Sequence, residues 1–257
     1  GNQFASFFRL IRNMLQREEV FQPWESSYNE FIDWIRSAER PYFVWVFLMD
    51  AHNPYLPSKN CRSQSRLDQF YANYRFWRES HETQFSPGIH DRLVTAYEDA
   101  VRYADSFLDR LLADLDEPVT IVHGDHGEAF GEHGTYGHEP YLHPENVHVP
   151  LVIHNHGRER VRHPVSLRSL PTILTSVGEN SDLNSNERSY VSTRSAAGQR
   201  WAFYTKNSHW IKAKDDKPKT GLGEEASKCF RSLISNVEES DAEKLRLNRS
   251  ADSLVNA

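Results

Sequence analysis

The spacing of apolar residues predicts a series of helices in the first half of the chain. Between residues 87 and 115 apolar positions recur at alternating steps of three and four, which is the pattern of a long amphipathic helix. The same spacing over 4–15 and 26–35 predicts two shorter helices, and Pro41 follows the second of them. Each of these helices has one apolar face to bury against a neighbouring layer.

Three continuous apolar runs predict strands. They lie at 42–49, 118–122 and 149–153 and lack the polar alternation of a strand that has one face in water. Such runs are typical of strands buried on both faces, and the order strand, long helix, strand is typical of a parallel sheet. We therefore expect an α/β fold in which the three runs share one mainly parallel sheet, with the 87–115 helix on its face.

The composition changes near residue 181 and predicts a second, smaller unit. Residues 181–188 are polar and rich in Asn and Ser, as in a linker. Short strands and a charged helical tail are predicted beyond them, at 190–193, 201–206, 209–213 and 224–247. The sequence thus predicts an α/β domain over 1–180 and a small appendage over 189–257, made of an antiparallel sheet and a helix.

Net charge, the length of the apolar runs and the cysteine content bear on which partners and which compartment the chain is expected to have. The 30 Lys and Arg against 36 Asp and Glu give a net charge of −6, whereas nucleic-acid-binding domains usually carry a basic excess. The longest apolar run, 42–49, is far shorter than the roughly 20 residues of a transmembrane helix, and no signal peptide is recognisable. Two cysteines are expected as unpaired thiols in a reducing compartment. We therefore expect no nucleic-acid partner and no membrane span, and the cytoplasm is the favoured compartment.

Histidine is concentrated in one stretch of the chain. Eight of the 13 histidines lie within 34 residues: His123, His126, His133, His138, His143, His148, His154 and His156. A cluster of this density among glycines and acids indicates metal or anion chemistry. The alternative is a polar surface loop that is rich in histidine.

The strongest candidate site follows the 118–122 run. Asp125 and His126 are adjacent in a turn flanked by Gly124 and Gly127, which relaxes the backbone enough for both side chains to reach one ion. A carboxylate oxygen and a neutral imidazole nitrogen are a suitable pair of ligands for a divalent cation. The alternative is a simple turn capped by Asp125.

Two further histidines are candidates for contact with a substrate. His138 follows Gly137 and, because imidazole changes charge near neutral pH, it can stabilise an anion or protonate a leaving group. His52 comes just after the 42–49 run, in a loop stiffened by Pro54, at the strand end where α/β sheets bind ligands. The alternatives are a loop histidine bonded to backbone and an ordinary surface histidine.

Taken together and in order, these segments resemble the sulfatase family of the alkaline phosphatase superfamily. The family pattern M-D-x-H-x-P-Y is matched at 49–55, and D-N/H-G-x-x-x-G-E-H-G is matched at 125–134. Gly137 and His138 match a G-K/H segment, 149–151 match a V-P-L strand, and 166–174 are similar to S-L-x-D-x-x-P-T-L-L. The resemblance covers about 42–178 and implies an alkaline-phosphatase-like α/β fold, of which this chain carries an incomplete part.

The resemblance also implies roles for four residues. Asp125 and His126 would be two ligands of a divalent metal, with Ca²⁺ implied first and Mg²⁺, Mn²⁺ or Zn²⁺ as alternatives. His52 and His138 would be catalytic residues that contact the sulfate or its leaving oxygen. The implied reaction is metal-dependent hydrolysis of a sulfate ester, and the implied substrate is a sulfated small molecule or glycan.

The nucleophile of the family is not recognisable in this sequence. Sulfatases supply a modified Cys or Ser from an N-terminal C/S-x-P-x-R motif, and nothing before residue 42 is similar to it. Cys61 does not qualify, because its motif lacks the proline and lies after His52. Two alternatives remain open: a phosphoester or phosphonate hydrolase or phosphotransferase of the same superfamily, and a non-catalytic remnant or partner chain of a split enzyme.

We predict that the 257-residue chain alone does not hydrolyse sulfate esters. Removal of a covalent nucleophile costs several orders of magnitude in rate, because the remaining groups only bind and polarise the substrate. The measurement is turnover of an aryl sulfate and an aryl phosphate by the purified chain with added divalent metals. Robust turnover that disappears in Asp125→Ala would show that a nucleophile is present after all.

Overall fold

The computed structural model describes residues 23–79, 81–138, 141–157, 161, 164–181, 183, 190–194, 200–205 and 209–213. The chain divides into two compact units, 1–211 and 212–257, and only the first two residues of the second unit are described. The helices predicted at 4–15 and 224–247 lie outside the described residues. The domain boundary predicted at 181–188 stays a prediction.

Two of the five described α-helices of the first unit match the predicted spacing. The described α-helices are α1 Glu25–Ser37, α2 Arg66–Arg78, α3 Pro87–Asp114, α4 Pro144–Val147 and α5 Leu170–Gly178, with short 3₁₀ turns at Lys59–Cys61 and Leu167–Ser169. The two helices predicted at 26–35 and 87–115 are confirmed as α1 and α3. Proline opens α3 because its fixed φ and missing N–H suit a first helical turn. Within the described residues, no helix has the length and apolar character needed to cross a bilayer.

The strands are short and form three small sheets. They are β1 Thr120–His123, β2 Ala129–Phe130, β3 Tyr136–Gly137, β4 Leu151–His154, β5 Tyr190–Arg194, β6 Arg200–Thr205 and β7 His209–Ala213. β1 pairs with β4, β2 pairs with β3, and the third sheet has the order β5-β6-β7. Every pairing whose direction is recorded in the described residues, including that of β5 with β6, is antiparallel.

The prediction of a mainly parallel sheet is therefore wrong for the strands that the structure describes. The 118–122 and 149–153 runs do form β1 and β4, but they run antiparallel, with Ile121 opposite Ile153. Their burial is partial, and Val152 is 54% exposed. A continuous apolar run indicates only that a strand can be buried. Whether two strands run parallel or antiparallel depends on how the chain connects them, which the sequence of the strands does not contain.

The 42–49 run is also not a buried strand. No strand pairing involves it in the described part of the chain, and four of its large apolar side chains, Phe43, Trp45, Phe47 and Met49, are more than half exposed. Leu48 is half-buried and packs on the hydrophobic core. A segment becomes a strand only when a neighbour accepts its backbone hydrogen bonds, and the described residues provide none.

Helix α3 is the centre of the core. Near its C-terminal end, Phe107 and Leu111 pack against Tyr28 and Ile32 of α1. Near its N-terminal end, Ile89 and Leu93 pack with Ala72 of α2 and Tyr136 of β3. In between, Tyr55 from the loop after the 42–49 run packs against Ala96 and Ala100 of α3. One helix face thus fixes the positions of α1, α2 and the loops that carry the candidate residues.

A buried carboxylate ties a loop to α3. Asp99 has no exposed surface and accepts hydrogen bonds from the backbone N–H and the hydroxyl of Ser63, at 2.9 and 2.7 Å. Gln69 of α2 donates a third bond at 3.3 Å, and Arg102 forms an ion pair with the same carboxylate. Such a group is stable in the interior because every acceptor position is used.

We predict that Asp99→Ala lowers the free energy of unfolding by about 1–3 kcal/mol, because buried donors lose their acceptor. Urea denaturation followed by circular dichroism measures the loss. Asp105→Ala is the matched control, since Asp105 lies on the exposed side of the same helix and has the same propensity change. Equal losses in the two variants would contradict the anchoring role.

Candidate functional site

The turn after β1 brings Asp125 and His126 together. One carboxylate oxygen of Asp125 accepts a 2.9 Å hydrogen bond from the backbone N–H of His126. The other carboxylate oxygen lies 3.8 Å from Nε2 of His126, and both side chains are exposed. The turn is therefore capped by Asp125, and it also brings a carboxylate oxygen and an imidazole nitrogen close together. The capped turn and the pair of metal ligands, which were the two interpretations of this motif, are compatible.

This turn is held against α4 through Gly127. Its backbone N–H donates a 2.8 Å hydrogen bond to the carbonyl of Asn146. A Cβ at position 127 would lie 2.0 Å from the carbonyl oxygen of Glu145, far inside contact distance. Only glycine allows the two backbones to approach this closely, so the position of His126 depends on the absence of a side chain here.

The loop that carries His52 is anchored by α2. The amide of Asn53 donates to Oδ1 of Asn73 at 3.0 Å, and the backbone N–H of Tyr55 donates to the same oxygen at 2.7 Å. Asn73 is almost fully buried and returns a bond to the carbonyl of Tyr55. His52 itself is exposed, and its Nδ1 lies 2.6 Å from the carbonyl of Asn53.

Three of the predicted residues, His52, His126 and His138, come from separate segments and lie close together, with His138 next to each of the other two. The ring centroid of His138 lies 4.1 Å from that of His126 and 5.7 Å from that of His52. His138 follows β3, His126 follows β1, and His52 follows the 42–49 run. The structure thus brings the four residues named from the sequence, counting Asp125 beside His126, into one group, while their roles stay predictions.

Glu128 is a residue of this group to which the sequence motifs assigned no role. Its side chain is 6% exposed, and Oε1 lies 3.1 Å from Nδ1 of His138. Its Oε2 accepts a 2.7 Å hydrogen bond from the hydroxyl of Tyr55. Burial first, and then the negative charge of Glu128, raise the pKa of Tyr55, so the phenol stays protonated and donates. The available signal in the sequence was an acid placed directly after Gly127.

Three further histidines of the cluster, His123, His133 and His143, contact other partners. His133 and His143 stack at a centroid distance of 4.0 Å, and Nε2 of His133 lies 3.0 Å from Glu145. His123 instead contacts the exposed ring of Trp45, at 5.8 Å. The density of histidine along the sequence therefore reflects several local environments and not one common site.

Asp125 and His126 fit two positions of a metal coordination shell. A carboxylate oxygen and an imidazole nitrogen are suitable donors, and their 3.8 Å separation allows one ion to reach both. Among the described residues, however, no group of three or more His, Cys, Asp or Glu is arranged to hold a metal. Because divalent cations take at least four ligands, these residues supply only part of a coordination shell.

The comparisons with known proteins concern both family and fold. The model of the family described as Sulfatase matches residues 2–186. No curated protein sequence matches the chain. A solved structure, "Crystal Structure of Phosphonate Monoester Hydrolase of Agrobacterium radiobacter", is similar with a TM-score of 0.53 at 15% identity, over 84% of this chain. The chain spans 60% of that protein's length, and at this identity the likeness shows an α/β fold alone.

We predict that Gly127→Ala disrupts the group. The new methyl would clash with the backbone of α4, and overpacking of this kind typically costs about 1–3 kcal/mol. Urea denaturation measures the stability, and contacts between the rings of His126 and His138 in NMR spectra report the geometry.

Gly178→Ala is the matched control for this prediction. No heavy atom lies within 4 Å of a Cβ built at Gly178, so a methyl group there meets open space. We expect this variant to keep wild-type stability or to gain slightly, since alanine favours the helix that ends there. A Gly127→Ala protein with native stability and native ring contacts would contradict the proposed close approach.

Proposed function

Because the chain belongs to the sulfatase family, we propose that it carries one part of the active site of a sulfatase-superfamily ester hydrolase. The observation that supports this best is the meeting of His52, His126 and His138 from three separate segments. The sulfatase resemblance stated from the motifs is confirmed at the level of the family.

The proposed role of Asp125 and His126 is to supply two ligands of a divalent metal. A metal bound there would stabilise negative charge on the transferring oxyanion as a Lewis acid. Nδ1 of His126 lies 3.0 Å from the carbonyl of Gly127, which accepts only, so the ring donates from Nδ1 and carries its lone pair on Nε2. The ion implied by the resemblance is Ca²⁺, but the imidazole nitrogen suits Zn²⁺ better than an ion that prefers oxygen.

The proposed role of His52 and His138 is to contact the oxygens of the anion and to assist the leaving group. An imidazole is suited to both tasks, because near neutral pH it can donate a proton or a hydrogen bond. The ring of His52 is oriented by its contact with the carbonyl of Asn53, and the ring of His138 is oriented by Glu128. Both histidines are therefore held in position before any substrate binds.

The reaction that we propose first is hydrolysis of a sulfate ester of a small molecule or glycan. A phosphonate or phosphate ester is the second candidate, and the observation that favours it is the structural similarity to a phosphonate monoester hydrolase. The two anions have similar shape, and the group around His138 is compatible with either. We propose that the residues of this group contribute binding of the anion and stabilisation of its charge.

We predict that the chain binds Mn²⁺ weakly at Asp125 and His126. The paramagnetic ion should broaden the ring signals of His126 first and those of His138 next, because the two rings are in contact. Asp125→Asn should abolish the broadening, since the amide is a much weaker ligand than the carboxylate. The measurement is a Mn²⁺ titration of the ¹⁵N-histidine-labelled chain by NMR.

The control variant and the choice between a sulfate and a phosphonate ester use the same ¹⁵N-histidine-labelled chain. Asp109→Asn, on an exposed position of α3, should leave the broadening unchanged. With diamagnetic Zn²⁺ in place of Mn²⁺, sulfate or methylphosphonate should shift the ring signals of His52 and His138, and the anion that acts at lower concentration indicates the ester class. Broadening that is identical in Asp125→Asn, with no response of either histidine to anions, would leave the non-catalytic remnant as the better interpretation.

A further inference from the structure

We infer that Glu128 is a positioning residue that fixes the tautomer of His138 through a buried chain of hydrogen bonds starting at Tyr55. The hydroxyl of Tyr55 lies 2.7 Å from Oε2 of Glu128, and Oε1 of the same carboxylate lies 3.1 Å from Nδ1 of His138. Tyr55 has no exposed surface, and the Glu128 side chain is 6% exposed. The inference rests on the proposed function for the role of His138, whereas its tautomer is a property of the chain itself.

The direction of each hydrogen bond follows from the chemistry of the three groups. A buried phenol has a single hydrogen, and burial keeps Tyr55 protonated, so Tyr55 donates to Glu128. A carboxylate has no hydrogen to donate, so its contact with His138 requires that the ring nitrogen Nδ1 carries one. The neutral ring then has its lone pair on Nε2, which is the nitrogen that can exchange a proton with a substrate.

The other two histidines of the group have the same tautomer for a different reason. Nδ1 of His52 lies 2.6 Å from the carbonyl of Asn53, and Nδ1 of His126 lies 3.0 Å from the carbonyl of Gly127. Both acceptors are backbone groups of the next residue, which no side-chain substitution removes. His138 differs because the acceptor at its Nδ1 is a side chain, so a change at position 128 should affect this histidine alone.

The position of Glu128 is set by the core. The ring of Tyr55 packs on Ala96 and Ala100 of α3 and is surrounded by other aromatic rings, those of Phe76, Tyr97 and Phe130. Because the phenol ring is held firmly, its hydroxyl lies at a defined point. The Glu128 carboxylate that accepts its hydrogen bond is therefore fixed as well. A carboxylate that orients an imidazole through Nδ1 is a known device for keeping the other nitrogen ready for catalysis.

The test is the tautomer of each histidine, read from ¹⁵N chemical shifts in multiple-bond spectra of the ¹⁵N-histidine-labelled chain. In the wild-type protein we expect a proton on Nδ1 of His138. In Glu128→Leu, which keeps the volume but removes the acceptor, we expect the Nδ1–H form of His138 to become the minority, with His52 and His126 unchanged.

The outcomes separate this inference from the proposed function. A wild-type His138 protonated at Nε2 overturns the inference without any variant, so the test holds even if Glu128→Leu fails to fold. Equal tautomer changes in all three histidines of Glu128→Leu also overturn it, since they would report general loss of structure. A correct tautomer combined with absent metal and anion binding would overturn the proposed function and leave the positioning role intact.

Discussion

The packing of Tyr55 on α3 is the contact on which the candidate site depends. Ala96 and Ala100 are small enough for the phenol ring to lie directly on the helix, and all three residues are completely buried. A larger side chain at either alanine would overpack this contact and displace the ring. Because the hydroxyl of Tyr55 bonds Glu128, and Glu128 contacts His138, the helix surface determines where the imidazole lies.

The same contact explains how a buried acid is tolerated beside an exposed site. A carboxylate that loses water without gaining partners is unfavourable by several kcal/mol. Glu128 gains a phenol on one oxygen and an imidazole on the other, and the phenol is rigid because the core encloses it. Rigid partners lose little conformational entropy when the bonds form, so the arrangement stabilises the fold while it orients His138.

The outer part of the molecule contrasts with this well-packed centre. Residues 42–49 lead into the loop that carries His52, yet Phe43, Trp45 and Phe47 are largely exposed and form no strand in the described residues. β1, which leads to Asp125 and His126, is likewise only half-buried. The site is therefore well packed where it contacts α3 and α4. The exposed apolar side chains lie on the segments that lead into the site.

The sequence by itself determined two of the described helices and the candidate residues of this protein. The periodicity of 87–115 specified α3, because helical spacing is a local property, and the short motifs around His52, Asp125 and His138 specified which side chains carry chemistry. Only the tertiary structure decided the antiparallel pairing of β1 with β4, the exposure of 42–49 and the link between Tyr55 and Glu128. These last features join residues far apart in the chain, 73 positions in the case of Tyr55 and Glu128, and such contacts depend on how the elements pack around α3.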